Sequence, residues 1–267
     1  MALSDKRCQK VEKVSMNKII CIIPARLAST RLPQKPLLDI SGKTMIERTY
    51  MRAIKVLNAC DVYIATDSEK VKSVAQNFGA KVLMTSDNCL TGTDRLAEVV
   101  KAPGYDDYDV YINIQGDEPI IDPEAISQLV IEYEKYRNQY SVYNLYKVIR
   151  DQGKISSNAI IKVIVNEQND LMYMSRLPIP YSKNDIHPDY KQQIPVYAYT
   201  SEALEIFSSN AKTMNEIHED IELLRFIDLG LKIKMCETSV ESISVDYPDD
   251  ILKIERFLLK SSCSVPT

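Results

Sequence analysis

The sequence predicts an α/β fold, a mostly parallel, doubly wound (Rossmann-like) sheet with a smaller mixed-strand lobe. Three observations carry this. Strand and helix patterns alternate over the first half with short links, which implies parallel strands with helices on both faces. The first apolar run, Lys18-Ile19-Ile20-Cys21-Ile22-Ile23, is β-branched and unbroken, as in a strand buried on both sides. The second half is strand-rich, and no Gly/Ser-rich linker precedes it, so it reads as a lobe rather than an independent domain. The expected organisation is an extension over 1–17, one domain over 18–260, and the lobe at about 140–215.

The elements follow in order. Residues 19–23 form the first strand. A helix over 44–57 places Met45, Ile46, Tyr50, Ala53 and Ile54 near one face. A strand at 61–65 leads to a helix over 68–78, capped by Ser68 and ended by Gly79. A strand at 81–84, a helix at 93–101, a strand at 109–114 and a helix at 123–136 complete the first half. Strands are expected at 140–148, 159–165, 171–174 and 194–199. Helices at 202–207 and 216–229, a strand at 231–235 and a last helix at 248–259 follow.

Composition narrows the function classes. The chain has 45% hydrophobic and 26% charged residues, ordinary for a soluble globular protein. Net charge is −4, so no broad basic surface argues for nucleic acid. No apolar run approaches the ~18 residues of a membrane span, and residues 1–17 lack an apolar signal core. The six cysteines form no CxxC pair, which favours reduced thiols and a cytoplasmic protein over disulfides or zinc.

Arg26, Arg31 and Lys35 crowd the loop that follows the first strand. Cations at the carboxyl end of a strand suit a polyphosphate, and Pro24, Pro33 and Pro36 stiffen that loop. Asp117 ends another apolar run at the same sheet edge, where a carboxylate can hold Mg²⁺ against a nucleotide. Ser244-Val245-Asp246 again reads as strand into carboxylate. Asp246 is either a second Mg²⁺ ligand or a cap for the helix beginning near Pro248. Asp249 and Asp250 fit the first helical turn. In Thr91-Gly92-Thr93-Asp94-Arg95, Gly92 permits close backbone approach and Thr93 can cap. There is no Ser-His-Asp or Cys-His signature, and both histidines, His187 and His218, lie in polar stretches.

Several blocks together resemble the sugar nucleotidylyltransferases, and within them the 3-deoxy-manno-octulosonate (Kdo) cytidylyltransferases. They are IIPARLASTRLPQKPL from Ile22, Gly42-Lys43-Thr44-Met45-Ile46, Ala65-Thr66-Asp67, Met84-Thr85, and Thr91 to Leu96. Asn113 to Pro119, Ser175 to Tyr181 and Val245 to Asp250 follow in the family's order. The resemblance implies a nucleotidyltransferase sheet, a homodimer, and transfer of a cytidylyl group from CTP to an acidic sugar for lipopolysaccharide or capsule synthesis. It implies Arg26, Lys35 and Asp117 as catalytic residues, with Pro24, Ala25, Thr85, Gly92, Thr93 and Arg95 beside the nucleotide. It raises Asp246 to a metal ligand with Asp117, for Mg²⁺.

For the acceptor the resemblance points to Gln115, Arg176, Gln193, Tyr197, Glu222 and Leu223, with Arg176 facing the sugar carboxylate. The chain departs from the family's pattern here: Gln193 stands where the family has histidine, Pro195 where it has glycine, and Leu223 where it has glutamine. Kdo, 8-amino-Kdo and another acidic sugar or phosphonate are therefore all candidate acceptors. A silent nucleotide-binding protein is the reading from another class.

Overall fold

The computed structural model describes residues 18–29, 32–57, 61–183 and 188–263. The predicted extension, Arg31 and His187 lie outside them. The alternating half forms as expected. Strand β1 (Ile19–Pro24), a 3₁₀ turn (Lys35–Leu37) and a small hairpin of β2 (Asp39–Ile40) and β3 (Lys43–Thr44) come first. Then follow α1 (Met45–Ala53), β4 (Val62–Thr66), α2 (Glu69–Asn77), β5 (Lys81–Met84), α3 (Gly92–Val100), β6 (Val110–Ile114) and α4 (Pro123–Tyr136). Ser68 caps α2 by accepting the Val71 amide, and Gly79 follows it at φ 83°.

The second half contains β7 (Val142–Val148), α5 (Gln152–Ser156), β8 (Lys162–Val165), β9 (Leu171–Ser175) and β10 (Lys191–Tyr199). After these come α6 (Ser201–Ser209), α7 (Met214–Glu219), α8 (Leu223–Asp228), β11 (Ile233–Glu237) and α9 (Pro248–Cys263). Strand order is β11-β7-β10-β6-β1-β4-β5 in one sheet, with β8 joined to β10 and β9 to β8. The β6-β1-β4-β5 half is parallel, β10 runs antiparallel between β6 and β7, and β11 is parallel to β7.

Side-chain alternation sorts the core onto two faces. Cys21, Ile23, Ile112, Ile114, Val196 and Ala198 pack on one face with Ile46, Tyr50, Val71 and Leu129 of α1, α2 and α4. Ile20, Ile22, Tyr111, Tyr197 and Tyr199 pack on the other with Leu96, Phe207 and Phe226 of α3, α6 and α8.

Two elements differ from expectation, and α5 has no counterpart in it. The helix predicted over 216–229 is two helices, because Asp220 adopts a left-handed conformation at φ 52° that ends α7. No strand carries Val245 into Asp246; residues 238–246 run as a strap with no regular structure. Pro195, lacking an N–H, sits where the register of β10 shifts between Ile194 and Tyr197. The Asn144 amide fills that bulge, donating to the carbonyls of Ile194 (2.8 Å) and Val196 (2.7 Å).

Candidate active site

A cleft of about 280 Å³ opens at the carboxyl ends of β1 and β6. The chain leaving β1 is pinned at once. The Ala25 amide donates to the Ala65 carbonyl at 2.8 Å, and the Thr66 hydroxyl to the Ala25 carbonyl at 2.6 Å. Beneath it runs the loop after β6, so close that a Cβ on Gly116 would stand 2.6 Å from the Pro24 carbonyl oxygen. Only glycine fits there.

Arg26 lies exposed along the cleft, and Lys35 enters it from the 3₁₀ turn. The Lys35 ammonium binds Asp117 at 2.6 Å and Asp246 at 3.4 Å, so two carboxylates share one cation. The backbone amides of Asp246 and Tyr247 are taken by the Asp250 carboxylate. Asp250 thus serves the start of α9, and the Asp246 side chain reaches Lys35. No group of three or more His, Cys, Asp or Glu forms a metal cluster among the described residues. Two converging carboxylates are nevertheless hard oxygen donors of the kind Mg²⁺ uses with phosphate oxygens and water, and Mg²⁺ needs few protein ligands.

Arg95 lines the cleft but is no free phosphate cation. It is 2% exposed and held by Asp67 at 3.0 Å and by the Thr85 hydroxyl. Thr85 is placed by its amide on the Thr66 carbonyl, and Asp67 also accepts the Leu27 amide at 3.5 Å. This network fastens three strand-end loops together.

The amino end of α3 forms the facing wall. Thr91 and Asp94 make a reciprocal capping box, and the Thr93 amide donates to Glu222 at 2.9 Å. Burial raises the Glu222 carboxyl, and the Thr93 bonds oppose that rise. Gln115 packs under Gly92, where a Cβ would stand 3.3 Å from its amide nitrogen.

The predicted acceptor residues divide. Gln115 and Glu222 line the cleft, whereas Arg176, Gln193, Tyr197 and Leu223 are absent from its lining. Arg176 donates to the backbone carbonyls of Glu219 (2.7 Å), Asp220 (3.0 Å) and Asn158 (3.1 Å). It therefore holds the left-handed turn whose next residues, Ile221 and Glu222, form the wall. Leu223 is 1% exposed in the apolar core, Tyr197 packs beside Tyr199, and Gln193 is buried on β10. Lys212, Glu216 and Asp220 line the cleft unanticipated, because the end of α6 and the break after α7 bring them in.

Glu118 was also unanticipated as a site residue. It is fully buried beside Asp117, and the hydroxyls of Ser242 and Ser244 donate to its two oxygens. Burial and then the Asp117 charge push its carboxyl up to about 8, while the serine bonds pull it down.

Residues 20–233 match the model of a family described as Cytidylyltransferase. The chain belongs to the cytidylyltransferase family. Among its relatives, a 3-deoxy-manno-octulosonate cytidylyltransferase of Chloroherpeton thalassium is 38% identical over 91% of this chain and 98% of its own. An 8-amino-3,8-dideoxy-manno-octulosonate cytidylyltransferase of Shewanella putrefaciens is 37% identical over 91% and 99%. The solved structure of a CMP:2-keto-3-deoxy-manno-octonic acid synthetase complexed with CTP superposes with a TM-score of 0.84 at 36% identity, over 91% of this chain and 99% of that one. An inositol-1-phosphate CTP transferase from T. maritima shares the fold alone, at TM-score 0.62 and 16% identity. The cytidylyltransferase fold is thus a mixed α/β sheet with a parallel half, and this family member is a nucleotidyltransferase.

Proposed function

We propose that this cytidylyltransferase joins CTP to Kdo or a close variant of it, releasing pyrophosphate. The observation that carries the reading is Lys35 shared by Asp117 and Asp246 at the carboxyl edge of the parallel strands, in a chain whose relatives act on Kdo-type acids. The anomeric hydroxyl of the sugar attacks the α-phosphorus in line and gives up its proton to solvent, the bond to the β-phosphate oxygen breaks, and pyrophosphate leaves. No protein nucleophile is needed, so the chain's work is placement and charge neutralisation. Arg26 and Lys35 bind the phosphates, where negative charge grows in the transition state. Asp117 and Asp246 would hold Mg²⁺, which supplies further neutralisation at the phosphates. With both carboxylates so engaged, the Lys35 ammonium would be available to the nucleotide.

Gln115 and Glu222 face the acceptor from the opposite wall, and Arg176 shapes that wall through the 219–220 turn. A homodimer in the cytoplasm, serving lipopolysaccharide or capsule synthesis, completes the proposal. Exposed Met172, Leu177, Met214 and Ile217 supply apolar surface for a second copy. Among the described residues no helix is long and apolar enough to cross a membrane.

Pyrophosphate release from CTP and Mg²⁺ with a panel of acceptors tests the reading. Release with Kdo or 8-amino-Kdo supports it and identifies the sugar. CTP binding without release on any acidic sugar would replace it with a silent nucleotide-binding protein.

A further inference from the structure

The strap over 238–246 delivers Asp246 to Lys35 without a strand or turn to guide it. Its attachments to the sheet are few and specific. The Thr238 amide donates to the Tyr146 carbonyl at 2.8 Å, before the strap crosses the cleft edge. Val240 and Val245 are buried, Val245 among Leu32, Ile40, Met45, Ile120 and Ile254. Glu241 pairs with Lys147 of β7 at 2.5 Å and with Lys154 at 3.8 Å, and the other attachments converge on two neighbouring residues. The Val245 amide donates to the Asp117 carbonyl at 3.0 Å, and Ser242 and Ser244 bind the Glu118 carboxylate, one hydroxyl on each oxygen.

Ser242 and Ser244 reach one carboxylate from positions two apart, so their side chains lie to the same side of the strap. Two hydroxyls anchored on one carboxylate, with the Val245 amide on the Asp117 carbonyl, fix the path by which the strap brings Asp246 to Lys35. A buried carboxylate is a costly means of filling space, and an apolar residue would do that more cheaply. Glu118 itself is fixed in the turn after β6, its amide on the Gln115 carbonyl at 3.1 Å and its carbonyl accepting the Ile121 amide at 3.1 Å. The anchor and Asp117 are thus adjacent in one rigid loop.

We infer that Glu118 is a positioning residue that sets the register of the 242–246 strap, so that Asp246 meets Asp117 across one cation site. Asp117 is presented by its own loop, and Asp246 is presented by Glu118 through Ser242 and Ser244. The inference rests on reading Asp117 and Asp246 as the metal pair, but the register it describes exists without metal.

Two measurements separate these points. Hydrogen exchange on the full chain, without metal or nucleotide, reads the strap directly. Glu118→Ala should lose protection of the Val245 amide while the Thr238 amide keeps its own, and Glu118→Gln, which retains one acceptor oxygen, should restore part of it. CTP binding titrated with Mg²⁺ reads the consequence. The half-saturating Mg²⁺ concentration should rise about 10- to 100-fold in Glu118→Ala and in Ser242→Ala/Ser244→Ala, as for loss of an outer partner of a metal ligand. If Glu118→Ala fails to fold, the serine pair and Glu118→Gln carry both measurements. Unchanged Val245 protection in a folded variant would overturn the register role. Lost protection with unchanged Mg²⁺ dependence, in a protein where Asp246→Asn also leaves that dependence unchanged, would uphold the strap and overturn the metal pair. Lost protection with unchanged Mg²⁺ dependence where Asp246→Asn does shift it would overturn the link between strap and site.

Discussion

Replacing Gly116 with alanine adds one methyl group at the tightest point below the cleft. That carbon would lie 2.6 Å from the Pro24 carbonyl oxygen and 3.5 Å from the Ile46 Cδ1. The side-chain contact is ordinary, but the backbone contact is short by on the order of 0.8 Å, and backbone cannot rotate away. Pro24 cannot retreat cheaply, because Ala25 is bonded on both its amide and its carbonyl to the β4 edge. The strain should cost about 2–3 kcal/mol. In a chain of this size it should lower Tm by roughly 4–5 °C. The relief that remains is to push the β6 loop outward, which moves Asp117 relative to Lys35. A misplacement of about 1 Å is worth on the order of a hundredfold in rate. Gly92→Ala is the control: its Cβ would meet Gln115 and Pro24 side-chain atoms at 3.3 Å, and the Gln115 amide can shift. Thermal unfolding and kcat/KM on both variants decide it. A Gly116→Ala protein melting within about 1 °C of the parent at more than half its activity would refute the close-approach reasoning.

Asp117→Asn and Asp246→Asn should each lower kcat by on the order of a thousandfold, since a metal ligand is lost. Both carboxylates are partly exposed, so unfolding scans should show changes within about 1 kcal/mol. Arg26→Ala and Lys35→Ala should raise the KM for CTP and lower kcat while the acceptor KM moves little, as both side chains face the phosphates in the proposed reaction. Burial, with Glu98 next, pushes the Cys89 thiol up to about 12, and burial with Glu132 pushes Cys236 to about 12. A raised thiol pKa keeps the neutral form through all lower pH, so at pH 8 both should alkylate about a thousandfold more slowly than a free cysteine. Mass-spectrometric labelling of the folded protein checks this, and rapid Cys89 labelling would contradict it.

Local patterns were read well where the cause was local. The unbroken run of β1 and the Ser68 cap and Gly79 stop of α2 follow from residue type and spacing. The failures trace to distant partners. Residues 216–229 have helical spacing throughout, and the break at Asp220 goes with Arg176, which comes from β9's end to collect the turn's carbonyls. Arg95 lines the cleft, as a residue beside a nucleotide would, but its pairing with Asp67 from the end of another strand is not legible in the sequence. Leu223 and Gln193 are assigned to the acceptor pocket by resemblance; Leu223 lies in the apolar core and Gln193 is buried on β10, both away from the cleft lining. Glu118 had a signal, a second acid directly after Asp117, but its serine partners lie more than a hundred residues onward.

The Asp220 turn is held largely by main-chain oxygens, with the Glu219 carboxylate adding bonds from the Ser175 hydroxyl and the Arg176 amide. Arg176 grips the carbonyls of Asn158, Glu219 and Asp220, and buried Lys162 likewise binds the carbonyls of Ser157, Ile160 and Arg176. Every residue type carries such an oxygen, so these bonds survive changes of side chain at the positions they hold. Asp220 needs only tolerance of the left-handed conformation, which asparagine and glycine also have. Outside Glu219, the side chains of this turn can therefore change while its course through space stays constant. Lineages built on this scaffold could exchange one acidic sugar for another by small steps, without passing through an unfolded ancestor.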